Sequence, residues 1–235
     1  AAQIAGPAIA LLALFWYWNR RLRSEIAKTK AAEAQLSRKI DAEKLLSEVF
    51  APFINLEMRE IDQGISDALA RIARFCGANG GQLFQHRTAD AIYQLTHSWA
   101  DSSVTASPEW LKSLHFGPGD YWRDVKFESG QPIVLEDIPK SESLPDSEKQ
   151  RFARQNIRAL IEIPMIDRSN IYGYVGMFST RSGHKWSPEA DRILNTVGQL
   201  LMNILSRKRA DEELLEAKRA AEAASRSKST FLANM

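Results

Sequence analysis

One cysteine, Cys76, occurs in 235 residues, which excludes an intrachain disulfide framework and a cysteine-based zinc site. Between Phe75 and Gly77 it reads as a small apolar residue at the end of a helix. Net charge is also scarce. The 31 basic and 29 acidic side chains leave +2, so no global excess draws the chain to nucleic acid. A Gly-Lys-Ser/Thr phosphate loop, a nucleophile elbow and a His-x-x-x-His metal pair are all missing. The four histidines, His86, His97, His115 and His184, form no cluster in the sequence. We expect no catalysis and no metal site from these residues.

What is there begins with an uncharged run, AAQIAGPAIALLALFWYWN, closed by Arg20, Arg21 and Arg23. Its first 18 residues, at 1.5 Å each, reach roughly 27 Å, about the thickness of a bilayer core. Trp16, Tyr17 and Trp18 suit the headgroup zone, and arginines beyond them favour the cytoplasmic side. The spacing therefore predicts a transmembrane helix over residues 1–18 of an inner membrane, with everything after about residue 19 in the cytoplasm. The run lacks the basic start and small-residue cleavage site of a secretory leader. Ala1 at one end and an unfinished helical pattern at the other read as the cut ends of a longer chain.

Residues 19–51 contain no glycine and, up to Ala51, no proline, and are rich in Ala, Glu, Lys and Leu. Leu22, Ile26, Leu36 and Ile40 fall on heptad steps, with Thr29 and Glu33 as a polar middle; this predicts a parallel two-stranded coil with a second copy. Past Ile40 the apolar residues leave that phase, as a stutter requires. A second connector starts at Ser187, Pro188 and Glu189, a good helix start. It carries a wide apolar stripe from Ile193 to Leu205 and narrows to Leu214, Ala217, Ala221 and Ala224 over residues 187–224. Gly198 stands out as a weak point, costing about 1 kcal/mol relative to Ala.

Between the connectors, over residues 52–186, the periodicity changes. Ile61, Ile65, Leu69, Ile72 and Phe75 mark one face of a helix. GGQLFQHR and AIYQLTHSWA alternate around TAD as a hairpin, QPIVLEDI is a short strand, and RALIEIPMIDRSNIYGYVGMFSTR is two strands around a turn. PDSEKQRFARQN is a short surface helix. Mostly antiparallel strands with helices before, between and after make an α+β domain.

This order of elements resembles a GAF domain, a sensory fold related to PAS. HSWA (97–100) is similar to the family's second strand, GQPIVLEDI (130–138) to its G-x-P strand and turn, and residues 157–181 to its last hairpin. The resemblance implies an antiparallel sheet flanked by helices, with a pocket roofed by the connecting segment. The end of the chain, AKRAAEAASRSKSTFLANM, resembles the run-in to the phosphoacceptor domain of bacterial, especially hybrid, sensor histidine kinases, so residues 225–235 are expected to start that domain. The implied order is outer sensor, membrane helix, coil, GAF, coil and kinase core. ATP and magnesium would serve that core, in a phosphorelay to a response regulator or receiver domain.

Aromatics crowd the region of the implied roof. His97, Trp99, Trp110, Phe116, Tyr121, Trp122 and Phe152 are candidate pocket residues for a small-molecule ligand, with Arg123 and Arg154 as anion contacts. The same aromatics would equally complete a second core over the sheet. Two roles therefore stand: a signal relay through paired helices, or a stand-alone ligand-binding module controlling another output.

Overall fold

The computed structural model describes residues 5–87, 92–104, 115–167 and 170–233, with side chains from residue 16 to 223. The chain divides into two units, Ala1–Leu45 and Leu46–Met235, each taken by itself below.

The first unit is helical from Ala5, within helix α1 (Ala5–Phe50). Its polar groups are served locally: Thr29 Oγ1 donates to the Glu25 carbonyl at 3.0 Å, and Lys28 pairs with Glu25. Leu22, Ile26, Leu36 and Ile40 are all exposed. The expected membrane span over residues 1–18 lies partly outside the described residues. Among the described residues no helix is long and apolar enough to cross a membrane.

In the second unit the change of phase past Ile40 has a purpose: Val49 and Phe50 are buried, and Phe50 stacks on Phe53 at 5.6 Å. A capping box between Glu57 and Glu60 leads into α2 (Ile61–Phe75). The expected apolar stripe of α2 is buried except at Phe75. Cys76 ends the helix half-buried, and burial pushes its thiol up to about 12.

Six antiparallel strands follow: β1 (Gly80–Arg87), β2 (Ile92–Ala100), β3 (His115–Phe116), β4 (Ile133–Leu135), β5 (Ala159–Asp167) and β6 (Asn170–Ser179). They form one sheet in the order β3-β2-β1-β6-β5-β4. A π-helical turn (Trp122–Phe127) and helix α3 (Asp146–Arg154) lie between β3 and β5 in sequence. Helix α4 (Pro188–Ala233) starts where expected, with Ser187 Oγ accepting from the Ala190 N–H at 3.2 Å.

Alternation along the strands divides the core in two. On one face α2 lies against β1 and β2, and α4 against β5 and β6. Leu83, Ile161, Val175 and Met177 of the sheet and Ile193, Leu194, Val197 and Leu201 of α4 are all buried. Gly198 is not the weak point its helix propensity suggests. A β-carbon there would stand 3.3 Å from Met165 and 3.5 Å from Val175, so glycine lets α4 lie close on the sheet. On the other face, Phe84, Tyr93, Leu95, Leu160, Tyr174 and Phe178 pack against the segment carrying the π-turn and α3.

Candidate sensory cavity

Aromatic rings make up eight of the fifteen buried residues described in the second core. Phe127 is its centre, with its ring centroid 4.4 Å from Tyr174, 4.8 Å from Tyr93, 5.4 Å from Phe84 and 5.5 Å from Phe116. Such pairs add about 0.5–1.5 kcal/mol each beyond the area they bury. The Tyr174 hydroxyl donates to the Phe127 carbonyl at 2.7 Å, tying the π-turn to the sheet. Trp122 meets Phe152 edge-on at 5.4 Å, and its indole N–H donates to Glu148 at 2.7 Å. One bond thus ties the π-turn to the sheet and the other ties it to α3.

Between roof and sheet lies a cavity lined by Phe84, Phe116, Trp122, Phe127 and Phe152, by Ile157 and Leu160, and by four polar residues: Gln82, Arg151, Gln155 and Glu162. About 30 Å³ is open to the centre of a water-sized sphere, room for roughly two waters. Its polar floor comes from sheet register. Gln82 on β1 and Glu162 on β5 both lie opposite Gly176 on β6. With no side chain between them, the Gln82 amide donates to Glu162 Oε1 across three strands. The other oxygen, Glu162 Oε2, is buried without a partner. Burial pushes the Glu162 carboxyl up to about 8, with the Gln82 bond opposing. At the mouth, the Arg151 guanidinium lies 4.7 Å over the Phe116 ring and pairs with Glu148 at 3.5 Å and Asp120 at 4.0 Å.

Of the residues expected to line this pocket, Phe116, Trp122 and Phe152 do so. Tyr121 packs beside them, with its hydroxyl on the Ser143 carbonyl at 2.8 Å. Trp110 falls outside the described residues. Arg123 pairs with Asp124 and Glu128 away from the cavity, and Arg154 is exposed; Arg151, one turn earlier on α3, occupies the expected position. Gln82, Phe84, Phe127, Gln155 and Glu162 were not anticipated there.

His97 and Trp99 lie on the opposite face, for a definite reason. The β1–β2 register shifts between Leu83 and Phe84, pairing Phe84 with Leu95 but Leu83 with His97, so Thr96 is an extra residue. Such a bulge moves every later side chain to the other face. Trp99 therefore receives Arg74 of α2 over its ring at 4.6 Å, and His97 Nε2 stands 3.1 Å from Asp62.

Asp62 is the hub of a second polar cluster. Lys208 of α4 donates to both its oxygens, at 2.6 and 2.7 Å. Burial raises the Asp62 carboxyl, but the bonds from Lys208 and His97 outweigh it and hold it below the usual range. For His97 burial prevails over the Asp62 contact, and its pKa is lowered. Among the described residues no group of three His, Cys, Asp or Glu could hold a metal ion.

The GAF domain model matches residues 60–205, more than half of the chain. The chain belongs to the GAF domain family. The chain is similar to the methanogenesis regulatory histidine kinase FilI of Methanothrix harundinacea (strain 6Ac), 23% identical over 199 residues. That match covers 83% of this chain but 22% of FilI, so the chain spans about a fifth of its curated relative. Two solved structures share the fold. The GAF domain of a phosphoenolpyruvate-protein phosphotransferase from Coxiella burnetii has a TM-score of 0.61 at 16% identity, covering 74% of this chain and 98% of that one. A domain assigned to a two-component sensor histidine kinase of Sinorhizobium meliloti 1021 has a TM-score of 0.52 at 15% identity, covering 65% and 96%.

Proposed function

We propose that this GAF region is the signal-relay and small-molecule-sensing segment of a membrane-bound two-component sensor histidine kinase. It works as a parallel homodimer and hands its state to a kinase core that uses ATP and magnesium, and thence to a receiver domain or response regulator. The observation that carries the reading is the run of α4 beyond the sheet. Leu205 is its last buried residue, yet the helix continues to Ala233, about 28 residues or about 42 Å. That extension exposes Leu214, Leu215, Ala217 and Ala221; the side chain of Ala224, the last of the expected seam, lies outside the described residues. Exposed leucines on a long helix call for a second helix, and small residues allow close approach. The similarity to the FilI region supports a kinase context.

Asp62 and Lys208 give the relay a mechanical path. A change under the roof that shifts the sheet reaches α4 through its packed first half and through this bond, and alters the pairing of two extensions. The membrane part of the proposal rests on Trp16, Tyr17 and Trp18, all exposed, with Arg20 stacked 5.3 Å over Trp16, a pattern suited to a headgroup zone. Cysteines placed at Leu36 and at Leu214, in a Cys76→Ser background, should give disulfide-linked homodimers. Absence of crosslinks at both positions removes the relay reading and leaves a stand-alone ligand-binding GAF module, which the cavity alone would support.

A further inference from the structure

Five buried side-chain atoms lack a hydrogen-bond partner among the described residues: His86 Nε2, Asp137 Oδ1, Glu162 Oε2, His184 Nε2 and Trp186 Nε1. Of their residues only Glu162, 1% exposed, lines the aromatic cavity. An unserved buried oxygen costs about 1–3 kcal/mol, and Gly176 beneath it keeps the place open, since a β-carbon there would collide with the carboxyl group.

The surroundings say what would serve that oxygen. The Trp122 N–H is spent on Glu148, and Arg151 is answered by Glu148 and Asp120 while its guanidinium covers Phe116. In its ionised form Glu162 leaves an acceptor unsatisfied, set among ring faces that attract positive charge and repel negative. We propose that this cavity binds a small organic cation, an ammonium or short alkylammonium ion such as methylammonium, with Glu162 as its counter-ion and Phe84, Phe116 and Phe127 as its aromatic walls. One N–H of the cation donates to Oε2 while Gln82 continues to donate to Oε1, so both oxygens are satisfied. The available space suits a ligand of a few non-hydrogen atoms. This deepens the sensing half of the function proposed above and is independent of the relay half.

Because burial pushes the carboxyl group up to about 8, a cation entering at neutral pH displaces a proton. Neutral Glu162 and the ammonium ion give a carboxylate–ammonium pair and one released proton. The groups around Glu162 are Gln82 from β1, Tyr174 from β6, and Arg151 with Glu148 from α3. Burial pushes the Tyr174 hydroxyl well up and lowers the Arg151 guanidinium, with Glu148 and Asp120 opposing. Glu162 is accordingly the group in the cavity that changes charge between pH 7 and pH 9.

The test is saturation-transfer NMR on the methyl resonance of methylammonium chloride titrated into the intact chain. Acetamide and sodium acetate are the neutral and anionic probes, at matched ionic strength. The expected result is saturable methylammonium binding, about ten-fold tighter at pH 9 than at pH 7, as the ionised fraction of Glu162 rises. It should vanish in Glu162→Gln with an unchanged far-UV circular dichroism spectrum. The pH comparison needs no variant and stands even if Glu162→Gln folds poorly. Methylammonium binding that is equal at both pH values, or that survives in Glu162→Gln, overturns the proposal. Saturation by acetate or acetamide alone also overturns it, while leaving a sensor of another ligand. Absence of binding by all three overturns it as well. Failed cysteine crosslinks with intact methylammonium binding would remove the relay and keep this site.

Discussion

Lys208 and Asp62, 146 positions apart in sequence, hold each other through two bonds of 2.6 and 2.7 Å at the point where α4 leaves the sheet. Lys208 is 19% exposed and Asp62 55%, so solvent screens much of the attraction. Lys208→Met should therefore cost less than about 1 kcal/mol in urea unfolding. Its larger effect should be on order: amide exchange from Ser206 to Leu215 should quicken several-fold while exchange in β1, β5 and β6 is unchanged. Equal exchange in both proteins would deny this bond a role in steadying the helix.

His97 gives the same cluster a pH dependence. Its folded-state pKa is lowered, chiefly by burial. The unfolded chain thus takes up the proton first, at about 6.5. The contribution to stability is present above that value and is lost as pH falls towards the folded-state pKa. In a Glu162→Gln background, where the opposing Glu162 titration is gone, melting temperature should drop between pH 7 and pH 5. His97→Gln should remove part of that drop, and His184→Gln another part, because the pKa of His184 is lowered by burial too. A drop unaltered by His97→Gln would mean that its imidazole is not desolvated in solution.

Glu162 runs the opposite way. With a folded-state value of about 8 against 4.5, its contribution is fully present below about 4.5 and is lost as pH rises to about 8. Glu162→Gln should flatten the decline in melting temperature across that window and make the variant relatively more stable at pH 8 than at pH 5. A wild-type-like decline in the variant would place the titration elsewhere.

Gly176 is the fourth test. A methyl group at this position meets the Ile161 carbonyl and the Glu162 carboxyl group together, and a backbone oxygen cannot swing aside. Gly176→Ala should cost at least about 2 kcal/mol in chemical denaturation. Gly117→Ala, whose added carbon would have only Ile92 nearby at 3.8 Å, should be close to neutral. Similar midpoints for the two variants would refute the crossing of Gln82 and Glu162 over Gly176.

Elements with one strong period were legible before the structure. The apolar stripe of α2, both long hairpins and the Ser187 start of α4 appear where the sequence puts them, because each depends on local alternation or a local cap. The cavity was legible in only three of its residues, and the failures share a cause: they depend on register between distant segments. His97 and Trp99 follow Tyr93 and Leu95 at steps of two, and nothing in IYQLTHSWA announces that Thr96 is extra. Glu162 sits between Ile161 and Ile163 as a polar residue on a half-buried strand would; alternation assigns it to solvent, and only the roof from Phe116 to Phe152 reverses that. Arg151 and Arg154 are a turn apart on α3, and sequence offers no way to choose between them until Phe116 supplies a ring. One usable signal was present, the glycine at 176 in an otherwise bulky strand, a mark of close approach by another group.

The turn from Trp122 to Phe127 is a case of another kind. Glu128 N–H donates to the Arg123 carbonyl at 2.9 Å, a five-residue closure, and Trp122 and Phe127 point into the same core with centroids 6.1 Å apart. In an α-helix, at 100° per residue, positions five apart diverge by about 140°. A π-helical closure spends five steps on a turn that an α-helix completes in about four, so both rings still fall on one face. With one residue fewer between them the rings would stand four apart, about 40° on an ordinary helix, and both would still reach the core. The hexapeptide thus holds one residue more than its packing demands, an insertion that the fold has absorbed without turning a ring out to water.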